Sequence, residues 1–106
     1  MTSALDGVKV LDLSRVFSGP WAAQMLADFG AEVIKVERPG RGDDVRHQGY
    51  PMPGRDGAPS PQTSSFVAMN RGKKSLTIDI SRPEGQALVR QLAQQADIVI
   101  CLLYTS

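Results

Sequence analysis

The first 37 residues contain the pattern that most limits the possible folds: a strand, a helix and a second strand in close succession. Residues 8–13 (VKVLDL) and 32–37 (EVIKVE) are short runs rich in branched apolar side chains, which are typical of largely buried strands. Between them, Pro20 begins a series of apolar residues at helical spacing, and Gly30 stands just past its end. Because a crossover helix joins parallel strands, the chain is predicted to begin with a βαβ unit.

The predicted helix carries its large apolar side chains on one face. Trp21, Met25, Leu26 and Phe29 follow one another at spacings of four, one and three residues. A stripe of this kind is far more often part of a core than a cofactor contact. We therefore expect Trp21 and Met25 to be buried.

A second strand–helix–strand pattern occupies residues 75–100. Residues 75–80 (SLTIDI) alternate between apolar and polar side chains, and residues 97–100 (DIVI) form another short apolar strand. Ser81 and Glu84 have the spacing of a capping box at the start of the intervening helix. The two halves together predict the α/β class, with an open, parallel, Rossmann-like sheet.

The segment between the halves, residues 39–61, is predicted to lack regular structure. Ten of its 23 residues are glycine or proline, and both residue types interrupt helices and strands. A loop of this length inside a compact domain is usually functional or mobile.

The composition limits the class of protein. A chain of 106 residues has the size of one small domain. No run approaches the ~18 consecutive apolar residues of a membrane span, and the N-terminus lacks the pattern of a secretion signal. The single cysteine, Cys101, cannot form an internal disulfide, which fits a reducing compartment. We expect a cytoplasmic protein that does not associate with membranes.

The net charge of +1 hides an uneven distribution along the chain. Residues 38–82 contain eight Lys or Arg and four Asp, whereas the rest has four basic and seven acidic residues. A basic middle in an acidic chain indicates a local anion site rather than the extended positive face of a nucleic-acid binder. The alternative is a solvated basic loop.

Basic residues near the predicted strand ends are the candidates for anion binding, because ligands of open α/β sheets bind beyond those ends. Arg38 directly follows the strand at 32–37, and its planar guanidinium suits a phosphate. The alternative for Arg38 is an ion pair with Glu37 or another nearby carboxylate. Arg71, Lys73 and Lys74 are candidates to hold an acidic ligand, with a solvated charge run as the alternative.

Other common site chemistries find little support in the sequence. The loop after the first strand, SRVFSGP, is not a GxGxxG motif, and no P-loop motif is present, so a dinucleotide cofactor and P-loop chemistry are disfavoured. His47 is the only histidine, and metal binding needs further ligands around it. We expect His47 to be a surface residue and no metal to be bound.

Two long blocks of sequence carry a resemblance to a known family. The first consists of LxGVKVLDLSRV at residues 5–16 and SGPWAAQMLADFGAEVIKVERPGRGDDVR at residues 18–46. The second is NRGKKSLTIDISRPEGQALVRQLAQQADIVI at residues 70–100. These blocks resemble the N-terminus of class III CoA-transferases of the CaiB/BaiF type.

The resemblance implies an enzyme that moves CoA between carboxylic acids through an aspartyl-CoA thioester. Its substrates would be an acyl-CoA and a carboxylic acid, and the whole protein would be a homodimer. The residues that match CoA-binding positions of the family are Phe17 and Ser18 after the first strand, Arg38 at the nucleotide portion, and Ile78, Asp79, Ile80 and Ser81 near the adenine. No aspartate of this chain matches the family's nucleophile, so no catalytic residue is assigned.

The resemblance also implies that the chain is a fragment. After residue 100 the family typically continues with an acidic residue and Asn-Phe, whereas this chain continues CLLYTS. We therefore expect residues 1–100 to be the N-terminal part of the family's large domain and residues 101–106 to be a non-native tail. The alternatives are an acyl-CoA racemase of the same family and a stand-alone anion-binding module.

Overall fold

The computed structural model describes residues 3–102, apart from the side chains of Pro59 and Pro61. A four-stranded sheet and a separate two-stranded hairpin organise this part of the chain. In chain order the elements are β1 (Lys9–Asp12), α1 (Ser18–Asp28), β2 (Glu32–Glu37), a 3-10 helix (Asp44–His47), β3 (Pro51–Pro53), β4 (Pro59–Thr63), α2 (Ser64–Met69), β5 (Lys73–Thr77), α3 (Pro83–Gln95) and β6 (Ile98–Ile100).

The main sheet is parallel throughout, which confirms the predicted fold class. Its strand order is β5-β2-β1-β6, with Val10 opposite Val33 and Ile98, and Ile34 opposite Lys74. The strands β5 and β6 lie at opposite edges, so the second strand–helix–strand half crosses over β2 and β1. The order therefore reverses between β1 and β6, which makes this position the topological switch point of the sheet.

Apolar side chains cover both faces of the sheet. On one face, Val10 and Val33 pack with Ala23 of α1. On the other, Leu11 and Val36 pack with residues of α3 and with Ile78. Because successive strand residues point to opposite faces, the adjacent apolar pairs Val10–Leu11 of β1 and Val33–Ile34 of β2 contribute to both layers.

The helix α1 buries a different stripe from the one predicted. Trp21 and Met25 are 57% and 51% exposed, so the prediction that they lie in the core is wrong. The buried residues of α1 are Gly19, Pro20, Ala23 and Gln24. Both stripes have helical periodicity, and the one made of smaller side chains faces the sheet, which brings the helix backbone close to the strands.

The segment 39–61 contains more regular structure than predicted. A 3-10 helix follows Asp43, and β3 pairs antiparallel with β4. The hairpin tolerates its prolines because each of its two strands is an edge strand. A hydrogen bond from Gly54 N–H to Ala58 O at 2.6 Å closes the connecting turn. The prediction of an irregular segment is therefore wrong for these residues.

The predicted boundary between the third strand and its helix is also wrong. The strand β5 ends at Thr77, because the Asp79 carboxylate accepts hydrogen bonds from the Ser81 N–H at 3.0 Å and the Ser81 hydroxyl at 2.5 Å, which turns the chain. Ser81 is thus unavailable for a capping box with Glu84. The helix α3 begins at Pro83 with Arg82 as N-cap and no side-chain cap.

The structure describes only the first two residues of the predicted tail at 101–106. Cys101 and Leu102 follow β6 without regular structure, and residues 103–106 lie outside the described residues, so the predicted non-native tail stays a prediction. Across residues 3–102, no helix has the length and apolar character needed to cross a membrane.

The close approach of α3 to the segment after β5 gives a testable prediction. A methyl group at Gly85 would overlap the carbonyl oxygen of Asp79. Gly→Ala in a helix normally stabilises by about 0.5–1 kcal/mol, but the overlap reverses the sign, and Gly85→Ala should lower the free energy of unfolding by about 1–3 kcal/mol. Urea denaturation measures this value. Gln91→Ala, at an exposed site of α3, is the control and should change the free energy of unfolding by less than about 0.5 kcal/mol. A Gly85→Ala variant more stable than the wild-type chain would contradict the close contact between Gly85 and Asp79.

Candidate functional site

The carboxyl ends of β1, β2 and β5 open into a cavity of about 270 Å³, which we call the strand-end cavity. Because the strands are parallel, the loops that follow them meet at one edge of the sheet. Part of the lining is apolar and part is charged, a composition that suits an apolar ring attached to an anion. The lining residues are Leu13, Arg15, Val36, Glu37, Arg38, Gly42, Asp43, Ile78, Asp79, Ile80 and Ser81.

A second cavity of about 470 Å³ lies at the topological switch point, and we call it the switch-point cavity. Its lining comes from the loop after β1, the start of α1, the 3-10 helix and the segment after β6. The residues are Arg15, Val16, Phe17, Ser18, Asp44 and Leu102. Arg15 lines both cavities, so they are neighbours.

A buried ion pair between Lys35 and Asp43 lies behind the strand-end cavity, which Asp43 lines. The Lys35 ammonium lies 2.7 Å from the Asp43 carboxylate, and both side chains are 1% exposed. Asp43 also accepts hydrogen bonds from the N–H groups of Val16 at 3.1 Å and Val45 at 3.0 Å, and Lys35 donates to Ser14 O at 3.3 Å. The pair therefore ties β2 to the loop after β1 and to the 3-10 helix.

The loop after β1 is held in an unfavourable backbone conformation. Val16 has a φ of 71° and is the only non-glycine residue with positive φ in the described range 3–102. A β-branched residue rarely adopts this region, and such strain persists only where the surroundings fix it. The hydrogen bond from Val16 N–H to Asp43 provides that fixation.

A second buried carboxylate, Glu37, is fully paired at the end of β2. Arg46 donates two hydrogen bonds to it, at 2.6 and 2.7 Å, and the Ser75 hydroxyl and Asp43 N–H donate at 2.5 and 3.0 Å. Burial by itself would raise the pKa of Glu37, but these hydrogen bonds outweigh burial and lower the pKa to about 2. The Arg46 guanidinium also stacks 3.7 Å from the centre of the Phe66 ring.

A third buried pair joins β1 to β5. The Lys73 ammonium lies 2.7 Å from the Asp12 carboxylate and donates to Pro20 O and Asn70 Oδ1 at 2.9 and 2.8 Å. Burial lowers the pKa of Lys73, and the hydrogen bond and charge of Asp12 oppose this only in part. By the alternation of strand residues, the side chains of Asp12, Lys35 and Lys73 lie on the α1 side of the sheet.

Arg38 is partly exposed and already has partners within the chain. Its Nε donates to Gly42 O at 2.8 Å, and its Nη2 contacts the Asp44 carboxylate. Asp44 is also 3.8 Å from Arg41. The carboxylate alternative predicted for Arg38 is therefore realised through Asp44 rather than Glu37, while the guanidinium still lines the strand-end cavity.

Comparison with known proteins identifies the family. Residues 5–104 match the model of CoA-transferase family III. The chain belongs to this family. It is 50% identical over 96 residues to a succinate–glutarate CoA-transferase of Agrobacterium fabrum, covering 91% of this chain and 24% of that protein. It is 45% identical over 96 residues to the human succinyl-CoA:glutarate CoA-transferase, covering 91% of this chain and 20% of that protein.

A solved structure from the same family has a similar fold. The crystal structure of a CaiB/BaiF family protein from Brucella suis matches with a TM-score of 0.83 and 45% identity, covering 93% of this chain and 25% of that one. The predicted family and its Rossmann-like sheet are thus confirmed. The chain spans about a fifth to a quarter of the length of these family III proteins.

The residues predicted to bind CoA from the family resemblance fall into two groups. Arg38, Ile78, Asp79, Ile80 and Ser81 line the strand-end cavity. Phe17 and Ser18 line the switch-point cavity, where Phe17 is 44% exposed and Ser18 is the first residue of α1. Their contact with CoA stays a prediction.

The basic run at residues 71–74 is engaged within the protein. Arg71 pairs with Asp28 at 2.6 Å, Lys74 lies 3.7 Å from Glu32, and Lys73 is the buried partner of Asp12. Arg71 and Lys74 are exposed, as the solvated alternative predicts, whereas the buried Lys73 fits neither of the two predicted alternatives. Sequence reasoning cannot anticipate this, because the partners lie more than 40 positions away along the chain.

His47 lies outside both cavities. His47 is exposed, as predicted, with its Nε2 3.0 Å from Arg41 O. Among residues 3–102, no group of three or more His, Cys, Asp or Glu is placed to hold a metal ion.

Sequence reasoning missed the roles of Lys35, Asp43 and Arg15. One signal for Lys35 is present, since it is the single basic residue inside an otherwise apolar run of β2 and must find a buried partner. Asp43 carries no comparable local signal, because its partners Val16 and Lys35 become neighbours only through the fold. Arg15 follows the first strand, as Arg38 follows the second, and could have been selected by the same rule.

The lowered pKa of Glu37 gives a prediction of pH-dependent stability. Since its folded pKa of about 2 lies below the ordinary value of 4.5, the stabilisation is fully present above pH 4.5 and is lost as the pH falls towards 2. Glu37→Gln should therefore lower the free energy of unfolding by roughly 3 kcal/mol near pH 6, and the deficit should shrink on acidification.

Urea denaturation between pH 2 and 7 measures this dependence. Asp6→Asn, at an exposed carboxylate, is the matched control and should change the free energy by no more than about 0.5 kcal/mol. A Glu37→Gln deficit that stays constant over the whole pH range would show that the loss does not arise from the charge of Glu37.

Proposed function

We propose that this chain forms part of the CoA-binding site of a CoA-transferase, which moves CoA between carboxylic acids. The observation that carries the proposal is the strand-end cavity. Arg38 and residues 78–81 are 40 positions apart in the sequence, yet they line this one cavity in a chain of family III. The position beyond the carboxyl ends of parallel strands is also where open α/β sheets bind nucleotides.

The strand-end cavity suits the nucleotide end of CoA. Leu13, Val36 and Ile78 offer apolar surface for the adenine ring, and Ile80 extends it. The Arg38 guanidinium lies beside this apolar surface. It can exchange its contact with the Asp44 carboxylate for a contact with a phosphate, because both anions accept hydrogen bonds from the same guanidinium donors. CoA is thus a ligand whose chemistry fits the residues present.

The switch-point cavity suits the rest of the CoA molecule. Phe17 and Ser18 line it, and Arg15 connects it with the strand-end cavity. An extended ligand with an apolar ring at one end fits such a pair of neighbouring cavities. We therefore assign Phe17 and Ser18 to the wall along which CoA lies after leaving the nucleotide pocket.

The chemistry we propose for a longer protein containing this chain is transfer through an aspartyl-CoA thioester. A carboxylate nucleophile divides one difficult acyl transfer into easier steps. We place that aspartate outside these 106 residues, because no aspartate of this chain matches the family's nucleophile and Asp43, which lines the strand-end cavity, is paired with Lys35. Relatives named for succinate, glutarate and oxalate support carboxylic acids as the second substrate class.

We further propose that the longer protein is a cytoplasmic homodimer. Trp21 and Met25 of α1 and Phe29 at its C-cap are large apolar side chains that are more than half exposed, and exposed apolar patches are often covered by other protein.

Titration of CoA into the 106-residue chain tests the proposed binding site. The chain should bind CoA, and Arg38→Ala should weaken binding by about threefold, because the contact is partly exposed and competes with Asp44. Arg55→Ala is the matched control: Arg55 is exposed and lines neither cavity, so its loss should leave the affinity unchanged. Absence of CoA binding by the chain would contradict the proposal.

Exchange of labelled succinate into succinyl-CoA tests where the chemistry resides. We expect no exchange by this chain and exchange by a longer family III protein that contains it. Exchange by the 106-residue chain would contradict the placement of the nucleophile outside it. If the longer protein incorporates solvent deuterium at the α-carbon of an acyl-CoA and does not transfer CoA, it is a racemase instead.

A further inference from the structure

The carboxylates around the two cavities all have cationic partners. Each lining carboxylate lies within an ion pair, and these pairs neutralise the charge of the wall. The pairs are Glu37 with Arg46, Asp43 with Lys35, Asp44 with Arg38, and Asp79 with Arg82. Arg38, the basic residue that the family resemblance points to, is thus offset by Asp44.

Arg15 is the exception to this charge matching. It is exposed, lines both cavities and forms no ion pair with any carboxylate in the range 3–102. Its backbone position is fixed on both sides, because Ser14 N–H donates to Asp12 at 2.9 Å and Val16 N–H donates to Asp43 at 3.1 Å. The cavities therefore share one uncompensated cation on a rigidly held loop.

We infer that Arg15 binds the diphosphate of CoA, an inference that rests on the proposed function. In CoA the diphosphate joins the nucleotide to the pantetheine arm. If the adenine lies in the strand-end cavity and the arm in the switch-point cavity, the diphosphate lies where the two cavities meet, which is where Arg15 stands. A guanidinium presents a fork of donors that matches adjacent phosphate oxygens.

The charge distribution makes Arg15 more important for affinity than Arg38. Binding to Arg38 requires the ligand to replace or share the carboxylate of Asp44, whereas Arg15 has no such competitor. The energetic return of a phosphate contact at Arg15 is therefore larger. Asp44 acts as an internal competitor for the anion, and its neutralisation should strengthen CoA binding.

Calorimetric titration of the chain with CoA, dephospho-CoA and pantetheine tests this assignment. Arg15→Ala should weaken binding of CoA and of dephospho-CoA equally, by about tenfold or more, since both carry the diphosphate. Pantetheine lacks phosphate, so its affinity should be the same for the wild-type chain and the variant. Arg15→Lys should retain part of the affinity, and raised salt should weaken the wild-type chain more than Arg15→Ala.

The outcomes distinguish failure of the proposed function from failure of the Arg15 assignment. If the wild-type chain does not bind CoA, the proposed function fails and the inference fails with it. If the wild-type chain binds CoA and Arg15→Ala binds it equally well, or binds it better than Arg38→Ala does, the assignment of Arg15 is overturned while the CoA site stands. An effect confined to CoA and absent with dephospho-CoA would place Arg15 at the 3′-phosphate and overturn the diphosphate assignment.

Asp44→Asn tests the competition step independently. This variant should bind CoA more tightly than the wild-type chain, and Arg38→Ala should then cost more in the Asp44→Asn background than in the wild-type one. Asp56→Asn, at an exposed carboxylate of the β3–β4 turn, is the matched control and should leave the affinity unchanged. Equal CoA affinity of Asp44→Asn and the wild-type chain would contradict competition by Asp44.

Discussion

The buried ion pair between Lys35 and Asp43 is the contact on which the geometry of the site depends. Lys35 lies in β2 of the central sheet, and its partner Asp43 accepts hydrogen bonds from the N–H groups of Val16 and Val45. Breaking a buried pair by removing one partner typically costs about 3–5 kcal/mol, because the other charge is left unpaired. A loop bound in this way cannot relax, which explains how Val16 keeps a backbone conformation that is unfavourable for valine.

Charge pairing inside the protein also determines which cations face a ligand. The chain has almost equal numbers of basic and acidic residues, and the fold uses most of those near the strand ends for internal pairs. The basic middle of the sequence therefore contributes less free positive charge than its count suggests. Arg15 lies outside this basic segment and is the cation that the pairing leaves available at both cavities.

The predictable parts of this fold are those fixed by local pattern, and the remainder depends on contacts between distant residues. Parallel strands at 9–12 and 32–37 follow from their apolar runs and the crossover helix. The placement of β6 beside β1 is not encoded locally, nor is the choice of the Ala23 stripe of α1 over the Trp21 stripe. Of the site, the resemblance selected residues that line the two cavities, but the pairing of Lys35 with Asp43 could not be predicted, because the fold alone brings these two residues together.

Amide hydrogen exchange at Val16 tests the central role of Lys35 and Asp43 most directly. Val16 N–H should exchange more slowly than in an unstructured peptide, and Asp43→Asn should accelerate its exchange while the core amide of Val33 in β2 stays protected. Asparagine has a single carboxamide oxygen, whereas Asp43 uses one oxygen for the N–H groups of Val16 and Val45 and the other for the Lys35 ammonium. The variant cannot keep both sets of contacts, so the loop should be released. Unprotected exchange of Val16 in the wild-type chain, or exchange that Asp43→Asn leaves unchanged, would contradict the account.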